Sequence, residues 1–186
     1  MVITGTGGQG LITLLQIISE AAMADGFDVR TSELHGLSQR GGSVEVHIRF
    51  GKKIFSPLVS LGRADLILAL ESQEALRATY FAGPQTTFLI NQFIIPLPLA
   101  KSLNEAQINK ELKKISHKIF MVPAGETCKK ELATDVVAGV YLLGWAVSKK
   151  MIPLKPSSFK SAVKKTIPAK YLELNIKALN LAEEKI

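Results

Sequence analysis

Residues able to do chemistry are concentrated in two glycine-rich stretches of this sequence. The first, Gly5-Thr6-Gly7-Gly8-Gln9-Gly10, has the form G-x-G-x-x-G. Glycines at that spacing permit a tight turn and let backbone N–H groups approach an anion, and a following helix adds a favourable dipole. Glu33 stands where a dinucleotide-binding protein keeps the carboxylate that holds a ribose. Nucleotide or phosphate binding is one reading of this loop; close packing of a strand, a helix and a neighbouring chain is the other. The second stretch, residues 32–43, reads SELHGLSQRGGS. Ser38 and Gln39 lead into Arg40, whose guanidinium lies beside Gly41-Gly42, a backbone free to adopt positive φ and approach a partner. A ligand contact and a salt bridge across a subunit interface explain Arg40 equally well. His35 could carry a proton, but a loop histidine bonded to backbone is the simpler reading.

Other candidates carry less. His47 and His117 are not spaced as metal ligands. Ser38 lacks a G-x-S-x-G elbow, and no G-x-x-x-x-G-K-[ST] occurs. Glu71 and Glu74 could be acid/base groups, although a capped helix start explains them as well. Cys128, beside Lys129 and Lys130, could have a lowered pKa; a buried thiol explains it better. It is the only cysteine, so neither an internal disulfide nor a four-thiolate iron–sulfur site can form.

These loops need elements to position them. Residues 1–4 read as a buried strand and 11–24 as a helix with apolar side chains at helical spacing, stopped by Asp25-Gly26. A second strand over 27–34 completes a strand–loop–helix–strand unit, which implies parallel pairing through a right-handed crossover. Both glycine loops should then open at the carboxyl ends of the strands, where open α/β sheets bind ligands. Period-two alternation over 44–50 marks a half-buried strand, and Gly51-Lys52-Lys53 suggests a hairpin into Ile54-Phe55. Strands are expected at 64–70, 87–93 and 118–123. Helices are expected at 72–80, 103–115, 134–149, 158–165 and 168–184, with Gly139 and Gly144 allowing close approach to the long apolar one. The expected fold is a three-layer α/β/α sandwich: a mostly parallel sheet, a Rossmann-like start, one antiparallel hairpin and a helical C-terminus, in one domain over residues 1–186.

Composition fits that reading. Of 186 residues, 47% are hydrophobic and 21% charged, which is ordinary for a globular domain. No apolar run reaches membrane-spanning length, and the start lacks the pattern of a secretory signal, so a cytoplasmic location is expected. The formal charge of +7 is uneven: residues 1–100 hold 7 basic against 8 acidic side chains, residues 101–186 hold 16 against 8. The later lysines form scattered pairs without interleaved aromatics. Solvated helix faces explain them better than a docking surface, and a docking surface better than nucleic acid.

Taken in order, GTGGQG, SELHGLSQRGGSVEVHIRFG and IFSPLVSLGRADLILALESQEALR resemble the gamma-type domain of 2-oxoacid:ferredoxin oxidoreductases. TIPAKYLELNIKALNLA is similar to that family's C-terminal pattern. The form H-G-x-S-Q-R-G-G, with His35 and Gln39, resembles the small subunit of the indolepyruvate (arylpyruvate) enzymes. The resemblance implies a complex that oxidatively decarboxylates a 2-oxoacid to an acyl-CoA, with CoA as co-substrate and ferredoxin as electron acceptor. It places thiamine diphosphate, magnesium and iron–sulfur clusters on a larger partner chain, because this one has a single cysteine and no Gly-Asp-Gly. No catalytic residue and no metal ligand is expected here. The candidates for ligand binding or interface contact are Gly5, Gly7, Gly8, Gln9, Gly10, Glu33, His35, Ser38, Gln39, Arg40, Gly41 and Gly42. The chain enters its first strand almost at once, so an N-terminal interface element is expected to be either missing or supplied elsewhere. The alternative is a stand-alone Rossmann-type dinucleotide-binding protein; no nucleic-acid or membrane partner is expected.

Overall fold

A computed structural model describes residues 1–36, 41–96 and 103–185. Six strands, β1 (Val2–Thr6), β2 (Asp28–His35), β3 (Ser43–Gly51), β4 (Leu66–Ala69), β5 (Thr87–Asn91) and β6 (Ile119–Val122), form one sheet in the order β2-β3-β1-β4-β5-β6. β1, β4, β5 and β6 pair in parallel, and β3 runs antiparallel to both of its neighbours. Seven helices complete the described fold: α1 (Leu11–Ala24), α2 (Ser72–Arg77), α3 (Glu105–Leu112), α4 (Ala124–Leu132), α5 (Ala138–Ser148), α6 (Pro156–Thr166) and α7 (Ala169–Glu184). A 3-10 turn, Ala78–Phe81, extends α2.

The three layers follow from alternation along the strands. Ile3, Leu66, Leu68 and Leu89 face a core built with α1, α4, α5, α6 and α7. Val2, Ile67, Phe88 and Ile90 face a smaller core with α2, the 3-10 turn and α3. The chain therefore leaves β1 towards one face and β4 towards the other, which makes the β1/β4 boundary the topological switch point of the sheet. Apolar side chains surround most of α5, as suits a helix packed between α1 and α7.

The sandwich and the helical C-terminus match the sequence reading, but three details differ. β1 and β2 run in the same direction without pairing, because β3 lies between them. No strand forms at Ile54-Phe55: the Ile54 N–H is taken by the Asp28 carboxylate at 2.9 Å, and the antiparallel hairpin is β2–β3, closed through the second glycine loop. The apolar stretch read as one helix over 134–149 starts only at Ala138, and α4 precedes it.

Gly139 and Gly144 do allow close approach. A Cβ on Gly139 would lie 3.3 Å from Leu14 of α1. One on Gly144 would lie 2.7 Å from the Leu179 carbonyl and 2.9 Å from the Ala182 side chain of α7. Gly144→Ala forces α7 away from α5 and should cost about 1–3 kcal/mol. A thermal melt should show a Tm several degrees lower with the far-ultraviolet dichroism unchanged.

Candidate functional site

β1 ends at Thr6, and the chain turns through Gly8 (φ 100°) and Gly10 (φ 81°) into α1. Only glycine occupies such angles without strain. The Gln9 side chain folds back over this turn. Its Oε1 accepts the Thr6 N–H at 2.8 Å, and its Nε2 lies 3.4 Å from the Leu70 carbonyl just beyond β4. Gln9 thus spans the switch point. Gly5 makes room for it, since a Cβ there would come within 2.6 Å of Gln9 Oε1. The glycine pattern is legible in sequence; Gln9 as the brace is not.

The second loop is bonded to the first. The Gly7 N–H donates to the Gly42 carbonyl at 2.9 Å, and the Gly41 N–H donates to the Gly7 carbonyl at 3.2 Å. Gly41 has φ 71°. Next to Gly42, the Ser43 hydroxyl donates to Glu74 at the start of α2. Both loops therefore open at the carboxyl ends of β1 and β2, as the sequence implied. Ser38, Gln39 and Arg40 lie outside the described residues.

Two cavities flank Gly8. One of about 350 Å³ is lined by Gly7, Gly8, Gly10, Leu11, Ile12, Glu33, His35 and Val44. Glu33 and His35, both exposed, reach it from β2. β3 separates them from β1, so Glu33 is one strand further from the loop than in a dinucleotide fold, where the acidic residue ends the neighbouring strand. The other cavity, about 490 Å³, lies between the first loop and the starts of α4 and α5; Gln9, Asn91, Phe93, Glu126, Lys129 and Asp135 are among its lining residues. Asn91, at the end of β5, accepts the Gly125 N–H at 3.2 Å and donates to the Leu70 carbonyl at 3.2 Å. Lys129 and Asp135 pair at 2.9 Å. The sequence reading did not find this second cavity. An asparagine ending a buried strand was its one visible signal.

Glu71, His47 and Cys128 are engaged in the fold. Glu71 caps α2, taking the Glu74 N–H at 2.8 Å and the Ile95 N–H at 3.0 Å, so the capping explanation holds. Buried His47 accepts the Val59 N–H on Nδ1 at 3.0 Å, which leaves Nε2–H to donate to Glu45 at 2.7 Å. Cys128 is buried in the larger core, and burial pushes its thiol up to about 11, contrary to any activation by Lys129 and Lys130. One buried, protonated thiol does not fit an iron–sulfur cluster.

The fold and this face define a three-layer α/β domain with joined glycine loops at the switch point of its sheet. The family description "Pyruvate ferredoxin/flavodoxin oxidoreductase" matches residues 1–184. The chain is 39% identical over 189 residues to the indolepyruvate oxidoreductase subunit IorB of Archaeoglobus fulgidus, covering 97% of this chain and 92% of that one. It is 28% identical to the pyruvate/ketoisovalerate oxidoreductases common subunit gamma of Pyrococcus furiosus, covering 97% and 93%. The keto/oxoacid ferredoxin oxidoreductase gamma subunit of Geobacter sulfurreducens has the same fold, with TM-score 0.71, 22% identity and coverage of 99% and 95%. The 2-oxoglutarate:ferredoxin oxidoreductase of Magnetococcus marinus also contains it, with TM-score 0.73 and 16% identity; all of this chain matches 31% of that one. The chain belongs to the pyruvate ferredoxin/flavodoxin oxidoreductase family, as a small, IorB-like subunit.

Glu74 ties the second loop to α2 while buried, and burial holds its carboxyl above the ordinary glutamate value. A carboxyl with a raised folded-state pKa contributes stability that is complete below the unfolded value and is lost as pH rises through the folded one. Glu105 is raised by burial as well and acts in the same direction. The stabilisation these two carboxyls contribute should therefore decline as pH rises through the range just above 4.5, the ordinary glutamate value. Melts of Glu74→Gln across that window should show a shallower fall than the wild type.

Proposed function

We propose that this chain is the subunit without cofactors of an enzyme that oxidatively decarboxylates a 2-oxoacid, indolepyruvate or another arylpyruvate, to an acyl-CoA. The observation that carries this reading is the 39% identity to an indolepyruvate oxidoreductase subunit along 97% of the chain. In the overall reaction the bond between the carboxylate and the 2-oxo carbon breaks, and carbon dioxide leaves. Two electrons pass singly to ferredoxin, and the acyl group forms a thioester with CoA. Thiamine diphosphate with magnesium supplies the electron sink for decarboxylation and iron–sulfur clusters carry the electrons; we assign all of them to a larger partner chain. The single cysteine supports that division, and so does its burial. We read residues 1–186 as one gamma-type domain working in a cytoplasmic complex.

The proposed role of this chain is to present the joined loops to the partner. Gly5, Gly7, Gly8, Gln9, Gly10, Gly41 and Gly42 set a fixed backbone surface; Glu33, His35, Ser38, Gln39 and Arg40 supply polar contacts to the partner or to a ligand between the chains. One relative is named as common to pyruvate and ketoisovalerate oxidoreductases, which supports placing substrate choice on the other chain. The dinucleotide alternative is disfavoured by β3, which displaces Glu33, and by Gln9, which folds over the first loop.

Expressed alone, the chain should be colourless and inactive, and titration calorimetry with NAD or NADP should give no binding. Co-expressed with its larger partner, it should co-purify in a complex that reduces a dye with indolepyruvate and CoA. Dye reduction by the isolated chain, or micromolar binding of a dinucleotide, would overturn the proposal.

A further inference from the structure

The end of the sheet opposite the glycine loops carries a second, chemically different surface. Between β3 and β4 the chain has no regular structure, yet its backbone is held at many points. The Val59 N–H donates to buried His47, Arg49 donates to the carbonyls of Ser56 (3.0 Å) and Leu58 (3.4 Å), and the Gly62 N–H donates to the Tyr80 carbonyl (2.8 Å). This fixed loop and the adjoining 3-10 turn hold large apolar side chains in solvent: Phe55 is 84% exposed, Leu61 73%, Tyr80 67% and Leu58 50%. Large apolar groups on a pinned loop and on the turn bonded to it form an anchor whose backbone is already ordered, the arrangement that binding hot spots favour.

The surroundings indicate what covers it. Lys52, Lys53 and Arg63 are exposed on the same loop, with Asp65 the one acidic residue there, and Lys53 Nζ lies 4.9 Å from the Phe55 ring centre. A contact between two copies of this chain about a two-fold axis would set the patch against itself and bring like charges together. The Magnetococcus marinus relative carries this fold as 31% of a longer chain, so the fold exists elsewhere joined to a much larger body.

We propose that the Phe55–Leu58–Leu61–Tyr80 patch is a docking surface for the larger subunit of the complex, whose matching face is apolar at its centre and acidic at its rim. The inference rests on the reading of this chain as a subunit and adds a contact that the glycine loops do not supply. The two loops grip the partner at the carboxyl ends of the strands, and this patch grips it at the other end.

The test uses the chain with its larger subunit. Phe55→Asp combined with Leu61→Asp should weaken assembly, measured by titration of the purified subunits, by about ten-fold or more. Lys52→Glu with Lys53→Glu should weaken it less and reduce its salt dependence. Tyr171→Asp, an exposed aromatic on α7, should leave assembly as in the wild type. Because the changed side chains are exposed, dichroism of each free variant should match the wild type. If a variant misfolds, protection of the residue 55–63 amides from hydrogen exchange on complex formation decides instead. Assembly unchanged by Phe55→Asp and Leu61→Asp, no new amide protection, or a dimer of the isolated chain that these changes dissociate would each overturn the proposal. A wild-type chain that captures no larger subunit would instead refute the proposed function, so the two failures are distinguishable.

Discussion

Gly7 exchanges backbone hydrogen bonds with Gly41 and Gly42, and the geometry of the whole carboxyl edge depends on that exchange. It extends the β1–β3 ladder past Thr6 and Ser43, the last residues paired within the sheet. Because β3 also pairs with β2, one strand holds the ends of both loops in register. Gln9 then has a fixed rim on which to fold, and Ser43 is brought to Glu74. A Rossmann-like unit in which β2 paired directly with β1 would leave these loops a strand apart and unbonded. The inserted antiparallel strand converts a nucleotide-type loop into half of a larger, stiff backbone surface.

Local patterning made much of this legible. The limits of α1 follow from its apolar spacing and the Asp25-Gly26 stop, and both coincide with the observed helix. The buried strands at the centre of the sheet announced themselves as short apolar runs. What escaped was decided by tertiary pairing. Nothing in the sequence of residues 27–50 says that β3 inserts between β1 and β2, since a hairpin can dock on either side of a strand. Lys52-Lys53-Ile54-Phe55 has the composition of a turn and a strand, but Asp28 captures the Ile54 amide and no strand edge is left for it. α4 was missed because Cys128 and Ala124 are its only buried side chains, too few to produce a helical period. The two loops were visible as glycine clusters, whereas the brace formed by Gln9 and the wall formed by Asn91 required the fold.

The buried polar groups set the division of labour. His47 has both ring nitrogens engaged, Glu71 is spent on capping, and Cys128 is enclosed with its proton retained. The first two have their bonding capacity already used inside the domain, and the third is closed off from solvent.

Strand order has one more consequence, for the chain before it meets a partner. The sheet ends on one side in β6, four residues long and with Trp145 packed against its Phe120, and on the other in β2, eight residues long. An open edge of that length invites pairing with another sheet. β2 is written DVRTSELH: Asp28 and Arg30 form an ion pair at 2.7 Å, Glu33 projects into solvent, and a single aliphatic side chain, Leu34, is exposed along it. The charges along that strand therefore guard the open edge against pairing with another sheet.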